Sequence, residues 1–485
     1  MSVFTLQEVL DATGGELRQF VATEQVKDPS MFQVTGVSSD TRTIEEGNLY
    51  LALIGEKFDG NQFAVAAVKD GATALLLSSM ACAPENVPVV LVEDTKLALE
   101  KLATYYRKRM GCQVIAVTGS VGKTSTRQMI VSALSRCCRV YATSANKNNE
   151  IGLSQTILSA PEDTEVLVLE MGMRGRGEIS ELTHIALPDI AVITNIGVAH
   201  IERLGSREEI RNAKLEIIEG LKENGLLILP YHDEYLMGAV KDGMIRSDVQ
   251  IAYTSTTQEE FEPRPYAFAM ATKTEVNDDK IFFNVKAGID SVYEVPLMIE
   301  ALGLHHVGNA LAGLICGLYY HYNLAKIAEG IASFNQVGHR ERKVNVNGIF
   351  FIDDTYNAGP ESMISAMSTV RRIAGEGKAY ACIADMLELG HVASEKHIEI
   401  GKHAAEIKLD GLLVTGDQKK NVEAGAKSVE PNMDVRLFDD KAAMIEELVK
   451  ILKPGDYVLL KASHSFEMHT IIDDFQAKVG EVDEK

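Results

Sequence analysis

Lys123 and Thr124 stand near the end of Thr118-Gly119-Ser120-Val121-Gly122-Lys123-Thr124-Ser125, a run of glycines and hydroxyls that closes on a cation. Glycines let successive backbone N–H groups point into one concavity, and a helix starting there adds partial positive charge. Lys123 can then reach the outer phosphates of a nucleotide, and Thr124 can hold Mg²⁺ through its hydroxyl. The common phosphate-binding loop has another glycine four intervening residues before its Gly-Lys pair, where this chain has Val117. The loop is a variant, so its flanks must support the interpretation. Val114-Ile115-Ala116-Val117 is an apolar, β-branched strand pattern, and Thr126 to Leu134 has helical spacing. Strand, glycine-rich turn and helix in that order predict a nucleotide site.

Further candidates end strands. Val166-Leu167-Val168-Leu169 runs into Glu170, and Ile190-Ala191-Val192-Ile193-Thr194 runs into Asn195, followed by His200. Ligands gather at the carboxyl ends of strands in open parallel sheets, so Glu170 is expected to bind Mg²⁺ beside the loop. Two roles stay open for His200, an ion ligand and a hydrogen-bonded surface histidine. Lys214 lies in the helical pattern Glu208 to Ile218, and on pattern alone it is a solvent-facing lysine forming helix ion pairs. Val37-Ser38-Ser39-Asp40-Thr41-Arg42 and the turn Gly55 to Asn61 suit either a solvated loop or a pocket for a phosphate or sugar.

These groups need α/β frames to position them. At 485 residues, and about 150 residues per domain, the chain divides into roughly three. Residues 1–107 form a small α/β unit with strands at Leu49 to Leu53 and Ala74 to Leu77. Residues 108–330 form a central nucleotide domain with a parallel sheet, and Ala310 to Tyr320 within it is a buried helix. Alternation around Lys280 to Val285 predicts a small antiparallel appendage within 250–300. In residues 331–485, strands at Ile349 to Ile352, Ala379 to Ala384, Gly411 to Thr415 and Tyr457 to Leu460 alternate with helices as a second, Rossmann-like doubly wound unit. Its strand ends carry Asp353-Asp354-Thr355-Tyr356-Asn357, Asp385, Asp417 and Lys461. The charged tail Glu481 to Lys485 is expected to be disordered.

Composition narrows the function classes. A formal net charge of -21 argues against a nucleic-acid partner, since phosphate backbones are met by clustered Lys and Arg. The 6 cysteines are scattered without metal-like or framework spacing, which fits a reducing compartment and predicts no zinc site. Met1 to Gln7 has no basic region followed by an apolar run, so no signal peptide is expected. The most apolar helix candidate falls short of the ~20 residues that span a bilayer. A cytoplasmic protein without a membrane partner is expected.

Across nearly its whole length the chain resembles the Mur ligases, the ATP-dependent amide-forming enzymes of peptidoglycan synthesis. Thr118 to Thr124 fits their Thr-Gly-x-x-Gly-Lys-Thr loop, and Asn146-Lys147-Asn148-Asn149-Glu150-Ile151-Gly152 resembles their Asn-x-Asn-Asn-x-Ile-Gly segment. Glu170-Met171-Gly172-Met173 and Thr194-Asn195-Ile196-Gly197-Val198-Ala199-His200 look like their magnesium-binding strands. Asp353 to Ala358 and Asp385-Met386-Leu387-Glu388-Leu389-Gly390 resemble the branch that adds D-alanyl-D-alanine.

The resemblance implies ATP and Mg²⁺ as cofactors, and UDP-N-acetylmuramoyl-tripeptide and D-alanyl-D-alanine as substrates. Lys214 falls on the lysine that the family carbamylates, turning a cation into an anionic oxygen ligand for a hard ion. Lys123, Lys214 and His200 are the implied catalytic groups, and Thr124, Glu170, His200 and Lys214 the implied metal site. Asn309, Arg340 and Asp354 would join residues 118–125 around ATP. Ser39, Arg42, Phe58, Asp59, Gly60, Asn61, Asn148, Asn149, Tyr356, Asn357 and Ser463 would meet the other substrates. A monomer is expected. The chain departs from the family pattern at three places: His306 replaces an asparagine, Gly359 replaces the second asparagine of Asn-Ala-Asn-Pro, and His464 replaces the arginine of Lys-Gly-Ser-Arg. These departures leave open a related ligase with another amine or acceptor.

Overall fold

The computed structural model describes residues 2–20, 27–277, 279–289, 291–336 and 338–483. Its centre is the strand Gln113–Thr118, which pairs in parallel with Val166–Glu170 on one side and Ile190–Ile193 on the other. Val140–Ala142 extends this nine-stranded sheet beyond Val166–Glu170, while Leu226–Pro230, Gln250–Ser255 and Ala267–Asn277 extend it the other way, all in parallel. Strands covered by helices on both faces need continuous apolar runs, and every residue of Val166–Glu170 is buried. Register then aligns the chemistry. Val117 lies opposite Glu170, and Thr118 opposite Ile193, so the loop, Glu170 and Thr194 leave the sheet at one level.

The antiparallel stretch is not an appendage. Lys280–Gly288 and Val292–Glu300 continue the same sheet past Ala267–Asn277, which itself pairs in parallel with Gln250–Ser255. The alternation in Lys280–Gly288 is real, but its inner residues Ile281, Phe283 and Val285 join the core that also holds Val307 and Leu311 of the helix His305–Tyr319. That helix and Leu324–Ala332 pack on the loop's own helix, Lys123–Leu134. The approach is close, because a Cβ on Gly330 would lie 2.3 Å from the carbonyl oxygen of Ser132. The phosphate loop therefore opens a helix clamped from outside.

The N-terminal sheet has five strands in the order Glu16–Gln19, Val89–Leu91, Ala74–Leu77, Leu49–Leu51 and Val37–Ser38, with only the first pair antiparallel. The C-terminal sheet has six, in the order Arg342–Val346, Ile349–Asp353, Tyr457–Lys461, Ala379–Ile383, Gly411–Val414 and Val435–Leu437, again with only the first pair antiparallel. The tail differs from expectation: helix Thr470–Asp483 runs into it, and Glu484 and Lys485 lie outside the described residues. The cysteines are free, and no helix among the described residues is long and apolar enough to cross a membrane.

Candidate active site

The loop's shape is locked by the neighbouring strand end. Thr194 Oγ1 donates to the Val121 carbonyl at 2.5 Å, Asn195 Oδ1 accepts from the Val121 N–H at 3.0 Å, and the Asn195 carbonyl accepts from the Ser120 N–H at 3.1 Å. Thr118 Oγ1 donates to the Met171 carbonyl at 2.9 Å. Gly119 has φ +150°, and a Cβ there would sit 1.8 Å from Thr194 Oγ1, so only glycine fits. Lys123 folds back over the loop and donates to the Gly119 carbonyl at 2.9 Å. Burial pulls the Lys123 pKa below its ordinary value, while the Glu170 charge pulls it back up.

Glu170 is a meeting point. Its Oε2 accepts from Thr124 Oγ1 at 2.9 Å, its Oε1 accepts from Asn148 Nδ2 at 2.9 Å, and Arg127 Nε lies 3.6 Å away. Arg340 donates from Nη2 to Thr124 Oγ1 at 3.2 Å and holds its guanidinium 3.8 Å above the Tyr356 ring. Arg127 was not singled out from the sequence; its position one turn after Lys123 on the inner face of a helix is the signal that could have found it.

Between the central and C-terminal sheets lies a cavity of about 530 Å³. Ser120 to Thr126 form one wall, Arg340, Asp354, Tyr356, Asn357 and Lys461 the other, with Asn148, Glu170 and Asn309 between. Lys461 gathers the second wall: its Nζ donates to Asp354 Oδ2 at 2.5 Å, the Asp354 carbonyl at 3.3 Å and the Asn357 carbonyl at 3.0 Å. Burial raises the Asp354 carboxyl, against the pull of the Lys461 ammonium. Tyr356 hydrogen-bonds Asn146 across the cleft, and Asn309 Oδ1 accepts from Thr126 Oγ1 at 2.8 Å.

Lys214 corrects its sequence pattern. It is 1% exposed and makes no hydrogen bond or ion pair among the described residues. Ile210, Ala213, Lys214 and Ile217 form one buried stripe, so the lysine stands on the inward face rather than among the helix ion pairs. Burial, with the Lys123 cation nearby, holds its pKa well below the ordinary lysine value. His200, in the left-handed region at φ +66°, places Nδ1 2.6 Å from Glu388 Oε2. Burial lowers its pKa, Glu388 opposes that, and the Lys123 and Lys214 cations add to it.

Neither His200 nor Lys214 lines this cavity, and nor do Thr118, Gly119 or the remaining candidates. Ser39 Oγ accepts from Gln155 Nε2 at 2.8 Å, and Asn149 caps the helix Glu150–Ser159 by accepting from the Gly152 N–H at 2.9 Å. Arg42, 87% exposed in its side chain, forks onto Asp40, whose carboxyl it holds down at about 2. Asp59 Oδ1 accepts from the backbone and side chain of Asn61 at 2.9 and 2.7 Å, Phe58 is 56% exposed, and a Cβ on Gly60 would lie 2.4 Å from the Leu53 carbonyl oxygen. Ser463 Oγ accepts from the Leu387 N–H at 2.9 Å.

Comparison with known proteins agrees with this geometry. Residues 33–107 match the Mur ligase family catalytic domain, 117–317 the Mur ligase middle domain, and 339–464 the Mur ligase glutamate ligase domain. The chain belongs to the Mur ligase family. It is 36% identical over 443 residues to the UDP-N-acetylmuramoyl-tripeptide--D-alanyl-D-alanine ligase of Bacillus subtilis (strain 168), covering 91% of this chain and 93% of that one. Among solved structures it is similar to MurF from Acinetobacter baumannii, with TM-score 0.86, 27% identity and coverage of 98% and 99% of the two chains. It is also similar to the MurF ligase of Thermotoga maritima in complex with ADP, with TM-score 0.76, 27% identity and coverage of 92% and 98%. For a Mur ligase, then, the phosphate loop and the C-terminal wall frame one cleft between two sheets.

Proposed function

We propose that this Mur ligase joins D-alanyl-D-alanine to UDP-N-acetylmuramoyl-tripeptide at the expense of ATP. The observation that carries it is the single cavity shared by the phosphate loop and by Arg340, Asp354, Tyr356 and Lys461 of the C-terminal unit. A nucleotide lying there has its phosphates on residues 118–125 and the rest between Asn309, Arg340 and Asp354. The acceptor's uridine end is assigned to Ser39, Arg42 and the Phe58 to Asn61 turn, and its peptide end and the dipeptide to Asn148, Asn149, Tyr356, Asn357 and Ser463. The boundaries 1–107, 108–330 and 331–485, a cytoplasmic location and a monomeric state belong to the same proposal.

The donor set fits Mg²⁺. Thr124 and Glu170 offer oxygens within 2.9 Å of each other, and Lys214 is a buried amine that meets no partner among the described residues, which suits conversion to a carbamate. Its lowered pKa favours the neutral amine that carbon dioxide requires. Thr124, Glu170, His200 and carbamylated Lys214 would hold the ion, which when bound supplies positive charge against the transferring phosphoryl group.

A carboxylate carbon is a poor electrophile until one of its oxygens becomes a phosphate leaving group. The tripeptide's terminal carboxylate oxygen bonds to the γ-phosphorus as the β–γ bridging bond breaks, giving an acyl phosphate and ADP. The dipeptide's amine then attacks the acyl carbon, inorganic phosphate leaves, and the amine loses a proton. Lys123 and Arg340 face the phosphates and balance their charge, and approach of the two walls holds the reactants and excludes water. Phosphate release with Mg²⁺-ATP and UDP-N-acetylmuramoyl-tripeptide, with and without D-alanyl-D-alanine, tests this. Release that depends on the dipeptide and yields the pentapeptide mass supports it; release supported only by other amines refutes the amine assignment. His306, Gly359 and His464 favour that second reading, and an amine panel separates the two.

A further inference from the structure

One cluster in the cavity wall has no part in phosphoryl transfer. His305 and His306 open the helix His305–Tyr319 with ring centroids 4.2 Å apart, and Glu341, just before the strand Arg342–Val346, reaches both. Glu341 Oε2 lies 3.1 Å from His306 Nε2 and Oε1 lies 3.9 Å from His305 Nδ1. One donor atom from each residue falls within 4.8 Å of the others, and among the described residues no other group of three such side chains comes together in this way. We propose that His305, His306 and Glu341 form a binding site for zinc, separate from the oxygen site at Glu170 and Thr124.

The geometry and the ligand types carry this. Zinc bonds to imidazole nitrogen and carboxylate oxygen at roughly 2.0–2.2 Å, so ligands around a tetrahedral ion stand about 3.3–3.5 Å apart. The separations, 3.1 Å to Glu341 Oε2 and 3.9 Å to Glu341 Oε1, lie either side of that distance at the two oxygens of one carboxylate. Two imidazoles with one carboxylate suit zinc, whereas Mg²⁺ takes oxygens. The supports for the ligands are in place as well. The Gly303 N–H donates to Glu341 Oε2 at 3.1 Å and orients the carboxylate, and Asn309 Nδ2 lies 3.4 Å from His306 Nδ1. With zinc on Nε2, the His306 proton moves to Nδ1 and Asn309 turns its oxygen to accept it; its amide nitrogen then faces Thr126 Oγ1, now 2.8 Å from its oxygen. His306 and the Glu341 carboxylate are buried, while His305 and Glu341 border the cavity, so the fourth position opens towards it. Cysteine spacing gave no sign of this site, because its ligands are histidines and a glutamate brought together from separate elements.

Zinc held there shares a wall with Asn309 and Asp354, so zinc and nucleotide exclude one another; that consequence rests on the nucleotide assignment, whereas the binding itself does not. The test is equilibrium dialysis of the full, chelator-stripped chain against zinc, with metal counted by atomic absorption. His306→Asn and Glu341→Gln are measured alongside, with circular dichroism to verify folding; Gln keeps an acceptor for the Gly303 N–H. One zinc per chain, weakened at least ~10-fold by each variant, supports the site. Cobalt in place of zinc should give the visible bands of a four-coordinate ion in the wild type and lose them in both variants. No stoichiometric zinc, or zinc retained by both folded variants, overturns it. ADP titration of the metal-free chain is run separately: failure of ADP to bind strikes the nucleotide assignment and leaves the zinc result standing.

Discussion

Around the phosphate loop, charged side chains far apart in the chain meet one another; on the N-terminal unit, the charged candidates Arg42 and Asp59 meet their own neighbours. Glu170 is reached by Thr124 from 46 residues away and by Asn148 from 22, and Arg340 reaches Thr124 across 216. Arg42 instead forks onto Asp40 and Asp59 accepts from Asn61, each two residues away, while the uncharged Asn61 also bonds Ser78 and Ser39 bonds Gln155. The first region has its charges arrayed around one cavity, which is what preorganised electrostatic catalysis requires. The second holds an exposed cation, Arg42, and an exposed aromatic ring, Phe58, which suits a docking face whose other half is the substrate. Substitutions in the two regions should therefore separate into losses of rate and losses of acceptor affinity.

The largest effect is expected at Lys123. Lys123→Ala should lower dipeptide-dependent phosphate release by about 10²–10³-fold or more, the scale for deleting one preorganised charge at a transition state. Its melting temperature should stay close to the wild type, because the ammonium makes one hydrogen bond, to the Gly119 carbonyl. Ligation within tenfold of wild type would break the contrast between the regions.

Lys214 comes next. Lys214→Met should lose about 10²-fold in ligation while gaining stability, since a buried amine that meets no partner among the described residues is replaced by an apolar chain of similar length. The pH dependence has a definite sign. The native lysine gives up its proton well below the ordinary value, whereas the unfolded chain keeps it to roughly pH 10.4. Between those limits the unfolded state binds more protons, so wild-type stability rises with pH. In bicarbonate-free buffer, Lys214→Met should melt higher than wild type at pH 7, and the gap should shrink towards pH 10. A gap that is constant or reversed would place an unseen partner beside the amine.

Arg42 sharpens the other half of the comparison. Arg42→Ala should raise KM for UDP-N-acetylmuramoyl-tripeptide roughly tenfold, the cost of about one charge-assisted hydrogen bond. Its kcat and its affinity for ADP should not change. A fall in kcat with KM unaltered would move Arg42 from docking to chemistry.

Much of this was visible in the residues, and what was hidden has physical causes. The phosphate loop and the strand ends follow from local backbone chemistry, so glycines, β-branched runs and helix spacing mark them; Ala74–Leu77 falls where its apolar run predicted. The family resemblance implies Asn309, Arg340 and Asp354 around ATP, of which only Asp354 falls in a quoted motif, and all three line the same cavity. Lys214 misleads because a lysine among acidic residues looks like a surface ion pair, although the stripe Ile210, Ala213, Lys214, Ile217 already marks an inward face. The three antiparallel strands misled for a different reason: alternation reports one covered face and not which sheet a strand joins. Arg127 and Asn195 shape the site through contacts that only the assembled sheet brings about.

The smallest effect concerns His464 of the C-terminal unit, whose ring lies 6.0 Å from that of Tyr356 in the cavity wall. It opens a short turn after the strand Tyr457–Lys461, beside Ser463 and close to the loop that Lys461 gathers. A carboxylate is met best by a planar, permanently charged fork, and an imidazole gives one donor whose charge falls away near neutral pH. If this turn receives the dipeptide's carboxylate, His464→Arg should lower KM for D-alanyl-D-alanine a few-fold, about 1 kcal/mol for an exposed charge pair, with kcat and the KM for ATP unchanged. An unchanged KM for D-alanyl-D-alanine would remove this turn from dipeptide recognition and leave the carboxylate to the cavity's own cations, Arg340 and Lys461.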